Sequence, residues 1–364
     1  MGRYLSVHIR NPVYEGGFPM RGPLATSSVA VVLWLSCQAT ALAQQEWLVS
    51  SSGTNEVLRY DAVTGSFVGI AAQGGGLNTP AGLTLNPNNG QLLVVGAQNN
   101  AVLQFNPLTS AFLGTFTSGG TLTIPDGLSY GPDGNLYVSG GTTNSVQRFN
   151  GITGSFINNF ATGAAGNLFT ALFDVRFGGP NSDLYFTNQT VNIPSGSFSG
   201  IRRHDGSTGA HIWNSSGGSL GTPAGIAFGP DGLLYVANAS GNNIQRFNAS
   251  TGAFVSTFVA AGSGGLARPY GMAFGPDGHL YVASYGGSLA TSTVKRFDGT
   301  TGAFIGDFVT GGSGGLNNPT YLMYVDFTPI PEPTSLVLCA VAAAAVVVVR
   351  RRSGTQAPAD PELE

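Results

Sequence analysis

Between residues 44 and 328 the apolar positions fall into short runs separated by clusters of Gly, Pro, Asp and Asn, and the runs recur as a unit. Gly225-Ile226-Ala227-Phe228-Gly229-Pro230-Asp231-Gly232-Leu233-Leu234-Tyr235-Val236 returns as Gly271-Met272-Ala273-Phe274-Gly275-Pro276-Asp277-Gly278-His279-Leu280-Tyr281-Val282, with earlier copies from Gly82 to Val94 and from Gly127 to Val138. The turn prolines Pro87, Pro132, Pro180, Pro230 and Pro276 stand 45 to 50 residues apart, a spacing that suits propeller blades. Each unit reads as four strands: an apolar strand into Gly-Pro-Asp-Gly, a Leu-Tyr-Val strand, a Val-x-Arg-Phe strand, and a last strand after Thr-Gly-x-Phe. Glycine closes the first hairpin because it accepts positive φ. The second hairpin opens on Asp61, Asn150, Asp205, Asn248 or Asp298, whose side chains can bond their own turn backbone.

Second-strand copies begin near Trp47, Leu92, Leu136, Leu184, Leu234 and Leu280, and first-strand copies near Ala81, Asp126, Phe173, Ala224, Tyr270 and Thr320. The first blade lacks an innermost strand of its own, and Tyr321 to Val325 is placed to supply it. The expectation is an all-β chain: a six-bladed β-propeller of four-stranded blades over residues 44–328, closed by a C-terminal strand completing the first blade, with terminal signal and anchor helices outside it.

Composition narrows the class. Charged residues make up 9% of the chain, far below the roughly 25% of an average soluble domain. Gly reaches 55 residues and Lys occurs once, at Lys295. A net charge of −3 with scattered arginines gives no basis for nucleic-acid binding. Cys37 and Cys339 both lie in the apolar terminal segments, which removes disulfide, cysteine-zinc and haem-attachment frameworks from the region between them.

The ends read as addresses. Met20-Arg21, the apolar run Val29 to Leu35 and Ala41-Leu42-Ala43 form a signal peptide over residues 1–43, with Met20 as its effective start and signal peptidase cutting after Ala43. Leu35-Ser36-Cys37 offers a competing lipoprotein reading, weakened by Trp34. At the other end Pro331-Glu332-Pro333 precedes fourteen apolar residues, 336–349, and then Arg350-Arg351-Arg352, before a polar tail at 353–364. As a helix that run spans ~21 Å at ~1.5 Å per residue, a marginal membrane crossing with arginine on the cytoplasmic side. This order resembles the PEP-CTERM sorting domain of bacteria over residues 329–352. The resemblance implies exosortase processing, export to the cell envelope or beyond, and a single transmembrane helix; a simple tail anchor is the alternative.

The Leu-Tyr-Val and Arg-Phe-Asp units with Gly-Pro-Asp-Gly turns resemble NHL-type six-bladed propellers. Such propellers serve as binding platforms, gluconolactonase-type lactonases and streptogramin lyases, so the fold does not select among them. The acidic residues of the repeated turns belong to one face, and the blade-to-blade loops to the other, where ligands of propellers sit. On that second face Asp126 and Asp174 break the repeat in adjacent blades, and Asn188 and Asn238 end their Leu-Tyr strands, together an oxygen-only set of the kind Ca²⁺ or another divalent cation accepts. Capping of turns is the competing role for these residues. The series Arg59, Arg148, Arg203, Arg246 and Arg296 is expected to pack its stems on neighbours and bond turn carbonyls, with an anionic-polysaccharide track as the alternative. A His-based lyase is disfavoured, since His204 replaces the Phe of the repeated Arg-Phe and His279 sits in a turn, which leaves His211 without an evident partner in the sequence. The function expected is an envelope-associated platform for a surface polymer, such as an exopolysaccharide, or for an envelope protein; a metal-dependent lactonase-like hydrolase and a purely structural matrix component are the alternatives.

Overall fold

The second strands of the blades carry an apolar centre, Leu-Tyr-Val or its variants, because they are covered on both sides. Leu92–Gly96, Leu136–Gly140 and Leu280–Ser284 have no exposed position, the pattern of sheets sandwiched between sheets rather than of a half-solvated surface. The computed structural model describes residues 44–163, 171–190 and 198–327, and the expected signal (1–43), sorting segment (329–352) and polar tail lie outside the described residues.

The described strands form six four-stranded antiparallel sheets. Their inner strands are Pro319–Phe327 in blade one, Pro80–Leu85 in blade two, Leu128–Tyr130 in blade three, Ala171–Gly178 in blade four, Pro223–Phe228 in blade five and Pro269–Phe274 in blade six. Each inner strand touches those of the two adjacent blades, so the six make a closed ring. Blade one is assembled from both ends of the propeller. Its inner strand pairs antiparallel with Gln44–Ser51 in a register running from Gln44 opposite Phe327 to Ser51 opposite Pro319. The strand thought to close the ring does so, and it leaves no open edge between first and last blades.

Blades are glued by stacked aromatics. Tyr137 meets Phe177 at 4.6 Å between centroids, Tyr185 meets Phe228 at 5.2 Å, and Tyr235 meets Phe274 at 5.0 Å. In each pair the second-strand tyrosine of one blade lies edge-on to the inner-strand phenylalanine of the next. At the closure Trp47 takes this part, 4.3 Å from Tyr281 and 5.8 Å from Tyr324.

A polar latch accompanies the glue. Asn55, Asn100 and Asn242 each directly precede a third strand, and their Oδ1 atoms accept N–H bonds from Thr79, Ile124 and Arg268 at 2.7–2.8 Å. Ser292 Oγ does the same for Asn318. All four donors precede a proline and sit at φ of 45–53°, a left-handed conformation that costs about 1 kcal/mol or more away from glycine. Its recurrence makes it a structural device joining one blade to the entry of the next.

A chain of residues 44–328 is expected to melt in one cooperative transition followed by circular dichroism, whereas one ending at Asn318 is expected to lose that transition. Independent melting of blade one in the longer chain would contradict a closed ring.

Candidate functional site

Inner strands approach so closely at the ring that a side chain has little room. A Cβ on Gly225 would lie 2.3 Å from the Tyr270 carbonyl, and one on Gly271 2.7 Å from the Thr320 carbonyl. Four blades carry glycine at this position, and blades four and one carry Asp174 and Tyr321 instead. These two blades are opposite in a six-membered ring, so the exceptions face one another across the axis.

Asp174 is buried, and its carboxylate is fully engaged. Oδ1 accepts the Val175 N–H at 2.9 Å, Oδ2 accepts the Ile226 N–H of the next blade at 2.9 Å, and Arg176 Nε stands 3.3 Å from Oδ2. Burial pushes its pKa up, against the pull of Arg176 and the two N–H bonds. Asp126, one blade back, only partly shielded, sits where the chain enters the inner strand of blade three. Burial, then the charge of Asp174, push its pKa up to about 7, and a hydrogen bond from the Tyr321 hydroxyl opposes the shift. Burial raises the Tyr321 hydroxyl well above its ordinary value, which keeps it protonated as the donor. Asp126 also acts electrostatically on Tyr270 of blade six, the blade opposite its own. Two carboxylates and two tyrosines from four blades thus converge on the axis.

The structure brings Asp126 and Asp174 together and does not bring Asn238 to them. Asn238 lies opposite Pro223, where its Oδ1 accepts the Gly221 N–H and its Nδ2 donates to Ser219 O and Asn243 Oδ1. Ser51 and Ser284 occupy the matching position and pin the loop before their own prolines in the same way. Asn188 is buried opposite Leu172, at the equivalent place in blade four. Of the four expected ligands, the Asp174 oxygens hold two N–H groups and face a guanidinium and the Asn238 amide belongs to its loop, which leaves Asp126 and Asn188 as the donors such an ion could draw on.

The arginine series is settled at the opposite ends of the strands. Arg148 pairs with Asp133, which also accepts from the Tyr137 hydroxyl, and Arg246 stands 3.5 Å from Asp231, which accepts from Tyr235. Arg203 pairs with Asp183 at 2.5 Å and Arg59 takes Glu46 through two bonds of 2.7 Å. It is the guanidinium groups that lie over rings, Arg246 over Phe258 at 5.1 Å for example. The acceptors differ from expectation: they are mainly carboxylates, with one turn carbonyl, Ser250 O, bonded by Arg203. The charges of Arg59, Arg148, Arg203 and Arg246 are thus met within the turn face, and Arg296 bonds Tyr281 there. His204 and His211 stack on each other at 5.2 Å in the third and outer strands of blade four, away from the inner ring.

One cluster on the loop face escaped the sequence reading. Arg268, Tyr270 and Tyr285 meet in blade six, with Tyr rings 5.3 Å apart, the Arg268 guanidinium 4.8 Å from the Tyr285 centroid, and Nη2 3.4 Å from the Tyr270 hydroxyl. With Thr222, Ala239, Ser240 and Asn242, Arg268 and Tyr270 line a cavity of about 300 Å³. The signal was available, since Tyr270 breaks the repeat at the same position as Asp126.

No protein-family model matches this chain, and no curated protein matches it in sequence. Among solved structures it is similar to a protein of unknown function from Bacteroides caccae, with TM-score 0.60 and 15% identity over 78% of this chain and 99% of that one. It is similar also to a chain of a nidogen/laminin complex, with TM-score 0.57 and 11% identity over 77% and 98%. A gluconolactonase from Xanthomonas campestris aligns with TM-score 0.53 and 15% identity over 79% and 94%. At these identities the likeness is one of fold.

Because the folded pKa of Asp126 lies above its unfolded value near 4, the native state holds the extra proton between these values. Stability from this group is present below about pH 4 and is lost as pH rises through about 7. Asp126→Asn is expected to raise the melting temperature at pH 8 and to flatten its dependence on pH between 4 and 7; an unchanged profile would show that Asp126 is not held protonated. Millimolar Ca²⁺, Mg²⁺ or Zn²⁺ is expected to leave the melting temperature of the wild type unshifted, and a shift lost in Asp126→Asn would restore a metal site.

Proposed function

We propose that this chain is an exported, envelope-associated propeller that acts as a binding platform for a surface polymer or protein through its loop face. The observation that supports this most is where the repeat is broken. A repeated residue serves the repeat, and a residue found in one blade only is free to serve something else. On the turn face the arginines, aspartates and tyrosines recur and satisfy one another. Asp126, Tyr270, Tyr285 and Arg268 occur in single blades and gather at or beside the loop end of the ring. Loops at one end of a rigid scaffold are the usual seat of recognition. The setting is supported by Ala41 and Ala43 at the end of an export signal and by Pro331-Glu332-Pro333 with Arg350-Arg351-Arg352 as a sorting signal.

A lactonase-like hydrolase is the competing reading, and the likeness to a gluconolactonase does not favour it over others sharing the fold. Such chemistry needs a divalent ion to activate water, and both Asp174 oxygens already accept N–H bonds beside the Arg176 guanidinium.

The full chain is expected to bind an envelope polysaccharide or envelope protein fraction in a manner weakened at least about fivefold by Tyr270→Ala with Tyr285→Ala, a loss in the range of an aromatic contact residue. The turn-face variant Thr300→Ala is expected to bind as the wild type does. Hydrolysis of a lactone panel that disappears in Asp126→Asn would overturn the platform in favour of the enzyme.

A further inference from the structure

We propose that the blade-six cleft formed by Arg268, Tyr270 and Tyr285 is a subsite for an acidic sugar, a carboxylate-bearing residue of a polysaccharide. The proposal rests on the loop-face reading above and narrows it to one place and one ligand class.

The first argument is that three single-blade residues coincide. At the position of Arg268 the other described blades carry Thr79, Ile124, Thr222 and Asn318, and at that of Tyr270 they carry Ala81, Asp126, Phe173, Ala224 and Thr320, none with a phenolic hydroxyl. The backbone at Arg268 is the shared latch conformation, φ 45°, tied by its N–H to Asn242 Oδ1 at 2.7 Å. The fold therefore fixes where this side chain starts, and only blade six places a cation there.

The second argument is charge. Among the described residues Arg59, Arg148, Arg176, Arg203, Arg246 and Lys295 stand beside a carboxylate, while Arg202 is buried against Asn214 and Phe198 and Arg296 bonds Tyr281. Arg268 is exposed, and its recorded contacts are the Tyr285 ring and the Tyr270 hydroxyl. Both orient the guanidinium and neither neutralises it. A planar, pre-oriented guanidinium matches a carboxylate through two parallel N–H bonds.

The third argument selects a sugar over an acidic peptide. The cavity of about 300 Å³ is walled by Thr222, Ser240 and Asn242 beside Tyr270, with Ala239 as its one aliphatic member. Hydroxyl and amide groups around an aromatic ring suit a ligand with apolar C–H faces and many hydroxyls, whereas a peptide anchor asks for apolar walls. Tyr270 and Tyr285, 5.3 Å apart and inclined at 45°, offer that ring surface at the rim.

The test uses the full chain, a glucuronate-containing oligosaccharide, and the same oligosaccharide with its carboxyl groups reduced to alcohols, read by calorimetry. The wild type is expected to bind the acidic probe roughly tenfold more tightly than the reduced one, the scale of a charge-assisted hydrogen bond. Arg268→Gln is expected to bring the two affinities together, and Arg268→Lys to retain part of the difference. Tyr285→Ala is expected to weaken both probes alike, with the fold of each variant checked by its melting temperature. Equal affinity of the wild type for both probes, or a difference that survives in Arg268→Gln, would overturn the acidic-sugar subsite. If neither probe binds while an envelope partner is still lost on Tyr270→Ala with Tyr285→Ala, the subsite falls and the platform stands. If those substitutions leave envelope binding unchanged as well, the platform falls with it.

Discussion

Everything in this structure depends on the pairing of residues 319–327 with 44–51. Those two segments lie at opposite ends of the propeller sequence, and their ladder turns a row of sheets into a ring. Without it blade one would have three strands and an exposed edge, and Trp47 would lose Tyr324 as its neighbour. With it, every second strand has a sheet on either side, which is why the Leu-Tyr-Val centres of those strands can be apolar. The cost is loop closure over the whole domain, which grows only slowly with length and is met by one continuous set of blade-to-blade contacts.

Closing the ring also creates the crowded axis. Inner strands come so near one another that glycine is required in four blades, and the two blades without it must send their side chains somewhere. Asp174 turns to the backbone of blade five, and Tyr321 reaches Asp126 of blade three. A partly shielded carboxylate beside a buried one resists ionisation, so the fold tolerates Asp126 most easily with its proton on. The axis is therefore a packed polar plug made from residues that hold each other, and the exposed irregular chemistry lies beside it, in blade six.

Blade number, strand order and the closing strand were legible because each rests on a pattern repeated about six times, and repetition cancels the ambiguity of any one short apolar run. Asp126 and Asp174 were legible as a pair because they break that pattern. Asn238 misled for a physical reason. Residue type and strand end suggest a ligand at the loop face, but whether such a side chain turns to the axis or onto its own loop depends on register, and the register sets it opposite Pro223. The partners of the arginines were within reach, since Asp133, Tyr137 and Arg148 recur in blade five as Asp231, Tyr235 and Arg246. The meeting of Arg268, Tyr270 and Tyr285 needed three dimensions, because Tyr285 stands where blades one, two and five carry the small residues Ser52, Ala97 and Ala239, and which side chains meet there depends on the turn of the backbone. The latch asparagines, each directly before a third strand, are visible in the sequence, but the backbone N–H groups they bond lie 24 to 26 residues further on, at the entry of the next blade.

The central claim is that the loop face recognises a ligand while the turn face only holds the ring together. Hydrogen exchange with and without a glucuronate-containing oligosaccharide tests it most directly, since exchange reports local opening segment by segment. The account expects added protection in residues 260–268 and 285–292, with the turns Asp298–Gly302 and Asn248–Gly252 unchanged. Protection confined to those turns, or spread evenly over all six blades, would contradict it.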